Sequence, residues 1–216
     1  MEARNKPLIL YFYDAMCGWC YGFSPVISKA ADIFENDFDF IAVSGGMITG
    51  ENIQPISGIS DFIKNAYPGV EKTTGITFGD AYLKLVDDGT YMVNSIKPSI
   101  AMTVFKSFLP FKSVEFAGDL LRAHMGEGRN LNTREIYLEL SEKYKIDADL
   151  FLQRLNQEEF HQRTAIEFEE VKKAGITGFP ALAVKYQEDY FLIGRGYMNY
   201  EELAKRLLVA EDNFKN

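Results

Sequence analysis

The sequence predicts an α/β fold in which a β-α-β unit and a later α-β-β-α unit are separated by a large all-α insertion. Three observations predict it. An apolar, β-prone run, Leu8-Ile9-Leu10-Tyr11-Phe12-Tyr13, passes directly into a helical pattern and then a second strand. From about Ile53 to Glu158 no strand pattern is evident, and helical patterns follow one another. Beyond that block, two short strand patterns return, flanked by helices.

In order, Leu8–Tyr13 reads as a buried strand bounded by Pro7 and Asp14. Trp19 to Glu35 places Phe23, Ile27, Ala30 or Ala31, and Phe34 at helical spacing, with Pro25 expected to kink the helix. Phe38–Val43 is the second strand, ended by Gly45-Gly46; so short a β-α-β unit favours a parallel pair. In the helical block, patterns stand out at Ser95–Phe108, Ser113–Met125 (with Ser113 as its cap), Thr133–Tyr144 and Ala148–Leu155. Phe160–Lys173 is a helix ended by Gly175. Ala181–Tyr186 and Tyr190–Ile193 form a hairpin across a three-residue loop, Gln187-Glu188-Asp189, before a last helix from Asn199 to Val209.

No linker composition sets the block apart, so it is expected to pack on its host. The division is residues 1–52 and 159–216 for the α/β domain and 53–158 for the insertion.

The 216 residues are 47% hydrophobic, enough to bury a core without a disulfide or metal. A net charge of -8 with no basic run offers nothing to nucleic acid or an anionic membrane. No apolar stretch approaches the roughly 20 residues of a membrane span. The first seven residues lack the apolar core of a signal peptide, so the expected location is cytoplasmic.

The only two cysteines are Cys17 and Cys20, three apart, at the expected strand-to-helix junction. In a reducing compartment such a pair points to catalysis or metal binding rather than a structural staple. A zinc site needs four ligands, and the only histidines, His124 and His161, lie far apart in expected helices. Each histidine reads as an exposed or partly buried helix residue. The redox reading is preferred to a metal site or an inert pair.

A thiol reacts as its thiolate, and the first turn of a helix favours an anion there. Cys17 sits at that end; Cys20, one turn in, should be more buried. Cys17 would attack a partner disulfide, and Cys20 would attack Cys17 to release it. Gly18 and Trp19 add no charge, and Trp19 would offer an exposed apolar surface to a peptide. Asp14 reads equally as a helix cap and as a proton acceptor.

The chain resembles the thioredoxin superfamily and its DsbA-like branch. The resemblance rests on the strand followed by Cys-x-x-Cys on a proline-containing helix, on Tyr21 and Phe23 after the second cysteine, on the helical insertion, and on Gly178-Phe179-Pro180 ahead of a strand. Within that branch it is similar to the FrnE-like group of cytosolic predicted protein-disulfide isomerases, through Asp14 to Cys20, Gly45-Gly46 and the Gly-Phe-Pro loop. The resemblance implies a thioredoxin fold and a protein-disulfide oxidoreductase or isomerase without cofactor. It also implies a cis-proline at Pro180 against the cysteine pair, with Phe179 pairing its backbone with substrate. Partners would be protein or low-molecular-weight thiols and disulfides, glutathione among them. The family's buried acid in the first strand is replaced here by Tyr11.

Two rival functions remain: a non-enzymatic DsbA-like protease adaptor or redox sensor, and a kappa-type glutathione-dependent transferase or isomerase. The second usually carries serine in the reactive place and no second thiol, so Cys20 argues against it.

Overall fold

The computed structural model describes residues 6–215; the first five residues, which open both the expected domain and the leader reading, lie outside it. Strand β1 (Leu8–Tyr13) is the centre of a mixed sheet. It pairs in parallel with β2 (Asp39–Ser44) and antiparallel with β5 (Ala181–Tyr186), and β5 pairs antiparallel with the edge strand β6 (Asp189–Arg195). The sheet order is β2-β1-β5-β6. This is the α/β arrangement the sequence predicts.

Alternation along β1 separates two cores. Ile9, Tyr11 and Tyr13 turn into the main core beneath α1 (Gly18–Ile33), joining Phe23, Ile27 and Ala30 of that helix. Phe12 turns the other way, onto Val171 of α8 (Glu158–Lys173) and Ala181 and Ala183 of β5. Each large apolar side chain removed from water contributes about 1.5–3 kcal/mol. Phe23 and Ile27, both fully buried, are the anchors that hold α1 on β1.

The insertion begins with α2 (Ser60–Thr74) and α3 (Asp80–Asp88), which end on left-handed Gly75 and Gly89. It continues through α4 (Ile96–Lys106), α5 (Ser113–Leu121) with a π-helical turn over Arg122–Gly126, α6 (Glu135–Lys143) and α7 (Ala148–Arg154). Its helices pack directly on the host: α5 on α1 and β2, and α4 on α8. Side chains of both parts share one continuous core. The last helix, α9 (Tyr200–Lys215), buries Leu203 and Leu207 in it.

The structure departs from the sequence reading at five points. The insertion contains a small antiparallel ladder, β3 (Gln54–Pro55) with β4 (Met92–Val93), where no strand was expected. Two residues on each side are too few to show an alternating pattern. Helices α2 and α3 do not stand out in the sequence pattern; Pro68 and Gly69 inside α2 interrupt its signal. Ser113 is the first residue of α5 and not its cap, because its hydroxyl accepts the Ala42 N–H of β2 at 2.9 Å. The β5–β6 turn has two residues rather than three: Tyr186 pairs with Asp189, and Gln187 takes φ 53° to make the turn. His124 is 1% exposed, not a surface residue, because the π-helical turn directs its ring between Tyr82 and Tyr91.

Candidate active site

The site forms where β1 stops and α1 starts. The chain turns at Asp14, whose carbonyl accepts the Cys17 N–H at 3.1 Å, and Cys17 then takes an extended conformation and caps α1. Its Sγ accepts the N–H of Cys20 at 3.2 Å, so the sulfur occupies the place a serine or aspartate oxygen takes in an ordinary cap. No acidic side chain lies in the first helical turn to oppose negative charge there.

The two sulfurs differ in access. Both cysteines are free thiols; Cys17 is 6% exposed and Cys20 not at all. Burial pushes the Cys20 thiol well above its ordinary range, and contact with Cys17 pushes the same way, so its proton is held unless something draws it off. Only Cys17 can be met from outside, and Cys20 lies behind it within reach.

Opposite Cys17 stands the loop before β5. The Phe179–Pro180 peptide is cis, and the Cys17 thiol donates to the Phe179 carbonyl oxygen at 3.4 Å. Pro180 is buried, while its own carbonyl accepts the Gly196 N–H at 2.8 Å, pinning the loop to the end of β6. Gly45, just past β2, lies under the Phe179 ring. The structure thus brings Phe179, and with it Pro180, from the far end of the chain against Cys17.

Asp14 is not the cap of α1. Its carboxylate turns sideways and is almost wholly buried. Oδ1 accepts from the Met16 N–H at 2.9 Å and the Ser95 hydroxyl at 2.7 Å; Oδ2 accepts from the Met47 N–H at 2.8 Å. Burial raises this carboxyl above its ordinary range, and these donors pull it back. Ser95, just before α4, also accepts the Ile48 N–H at 3.0 Å, and its own N–H returns to the Ile48 carbonyl at 2.9 Å. The insertion is therefore tied to the cysteine turn through one carboxylate. Sequence reasoning missed Ser95 and Met47, because nothing local marks partners 81 and 33 positions away.

Beside Gly18 and Trp19 opens a cleft of about 260 Å³ between host and insertion. Met16, Met47, Phe62, Ile63 and Phe78 line it, with His124 at its floor, and no lysine, arginine, aspartate or glutamate does. Trp19 is 40% exposed at its rim, close to Tyr197. Burial holds His124 down to about 4, so the floor is neutral at physiological pH. Among the described residues no group of three or more His, Cys, Asp or Glu could hold a metal ion. Among the described residues no helix is long and apolar enough to cross a membrane.

Among solved structures, the chain is similar to a candidate protein disulfide isomerase from Nitrosomonas europaea, with 26% identity over 94% of this chain and 97% of that one and a TM-score of 0.82. It is also similar to the cytosolic disulfide reductase DsbM from Pseudomonas aeruginosa, at 22% identity over 97% and 100% of the two chains and a TM-score of 0.78. The same reductase with GSH aligns at 22% identity over the same shares, with a TM-score of 0.75. No curated protein matches the chain. The model of the DSBA-like thioredoxin domain matches residues 8–208, and the chain belongs to that family.

Proposed function

We propose that the protein is a thiol-disulfide oxidoreductase that exchanges disulfides with protein or small-thiol substrates through Cys17 and Cys20. One observation carries this reading: two free thiols lie one helical turn apart, the outer at the mouth of α1 and the inner sealed behind it. The Cys17 thiolate attacks one sulfur of a substrate disulfide, and the other substrate sulfur leaves as a thiolate that takes a proton from solvent. Cys20 then attacks the Cys17 sulfur. The mixed disulfide breaks, the second substrate sulfur leaves as a thiol carrying the Cys20 proton, and two electrons have passed to the substrate. Reversal of the steps oxidises a dithiol.

Gly18 and Trp19 lead an incoming chain toward the cleft, and the Phe179 and Pro180 backbone flanks Cys17 from the other side. The neutral, methionine- and aromatic-rich lining suits the apolar neighbours of a substrate cysteine. The relative solved with GSH supports small thiols as partners, and its cytosolic location supports a cytoplasmic setting for this chain. Asp14 fixes the turn, with both oxygens engaged, and serves the site chiefly as its anchor.

The test compares wild type with Cys17→Ser in insulin reduction and dithiol oxidation. The reading expects loss of both activities with the fold unchanged. Full activity in the variant would overturn it, and partner binding that survives without any thiol activity in wild type would favour an adaptor.

A further inference from the structure

Two buried side-chain polar atoms complete no hydrogen bond among the described residues, the hydroxyls of Tyr11 and Ser44. Tyr11 is fully buried on the face of β1 that lies beneath α1. Its ring packs at 5.9 Å from Phe23, one turn beyond Cys20, and at 5.6 Å from Tyr13. Cys20, itself fully buried in the same core, is the side chain that acts most strongly on this hydroxyl. A hydroxyl left unpaired in a dry interior costs stability, so its place needs a reason.

The needs of the inner sulfur supply one. Cys17, Asp14 and Tyr11 act on Cys20: the Asp14 backbone N–H favours its thiolate, whereas the Asp14 carboxylate and the Cys17 sulfur oppose it. The Asp14 carboxylate is committed to donors of its own. When Cys20 gives up its proton it becomes a buried anion with few donors to meet it. Resting on the thiol-exchange reading above, we propose that Tyr11 is the side-chain hydrogen-bond donor that receives the Cys20 sulfur as it becomes the attacking thiolate. Burial pushes the phenol well above its ordinary range, so it stays protonated and able to donate wherever the enzyme works. Tyr11 gives up neither proton nor electron: its O–H stays intact, the Cys20 proton ends on the departing substrate thiol, and the new bond is Cys17–Cys20.

Tyr11→Phe removes only the oxygen. The rate at which Cys17 forms a mixed disulfide with a model peptide disulfide should match wild type. The rate at which Cys20 resolves it should fall about tenfold, with its pH profile moved up by about one unit, and the mixed disulfide should accumulate. The melting temperature should hold or rise, since an unpaired hydroxyl is gone. Unchanged resolution with an unchanged pH profile overturns the proposal. Failure of wild type to form any mixed disulfide at Cys17 sinks the thiol-exchange reading instead. If Tyr11→Phe does not fold, the tyrosine Raman doublet, taken as the difference between wild type and Cys20→Ala, is followed as Cys20 ionises. A shift toward a stronger donor supports the proposal, and no shift overturns it.

Discussion

The ring of Phe179 fills the space that a side chain on Gly45 would occupy: a Cβ there would lie 2.0 Å from the ring's Cζ. The residue whose carbonyl faces Cys17 is thus seated on the glycine that follows β2. Gly45→Ala must push the ring, and with it the loop before β5. A loss of about 1–3 kcal/mol in stability is expected from overpacking, read by urea melts. A fall in kcat/KM at a temperature where the variant is still fully folded would show that the displaced loop also harms exchange.

Asp14 and Ser95 should be energetically coupled. Asp14→Ala strands the Met16 and Met47 N–H groups and the Ser95 hydroxyl, and about 3 kcal/mol should be lost. Ser95→Ala should cost about 1–2 kcal/mol, and the double variant less than the sum of the two. Additive losses in chemical denaturation would mean that the two are not one unit.

His124 gives a defined acid sensitivity. Its value in the folded chain, about 4, is below the ordinary 6.5, so the unfolded chain takes up the proton first. No stability is lost above about pH 7; loss grows as pH falls through 6.5 and levels off near 4, reaching about 3 kcal/mol. His124→Gln should flatten this part of the stability–pH curve, measured by denaturant melts between pH 7 and 4.

Phe62 is 73% exposed at the edge of the cleft beside Trp19, so little of the fold depends on it. Phe62→Ser should raise KM for a peptide with an apolar residue next to its cysteine by about fivefold, or about 1 kcal/mol. The melting temperature and kcat should hold. An unchanged KM would place the peptide elsewhere.

The parts of this fold that local chemistry determines were open to reading. Leu8–Tyr13 and Ala181–Tyr186 announce themselves by apolar runs between breakers, and Phe23, Ile27 and Ala30 by helical spacing. The cysteine pair was legible because its spacing is one helical turn. What stayed hidden depends on partners far along the chain. Asp14 reads in isolation as a helix cap or a proton acceptor, and only the folded chain brings Ser95 and Met47 to it. His124 looks like an ordinary helix residue until a π-helical turn swings it inward. Gln187 adopts a left-handed turn that favours glycine or asparagine, so its residue type misdirected the count of loop residues.

The central claim is that Cys17 and Cys20 cycle between dithiol and disulfide. Equilibrating the protein with glutathione buffers of graded ratio, and reading the fluorescence of Trp19, the only tryptophan, tests it most directly. The account predicts a single two-electron transition, with a midpoint between about -270 mV and about -120 mV, the thioredoxin and DsbA values, that vanishes in Cys20→Ser. A signal flat across the whole range, with both thiols still free by alkylation and mass spectrometry, would contradict it.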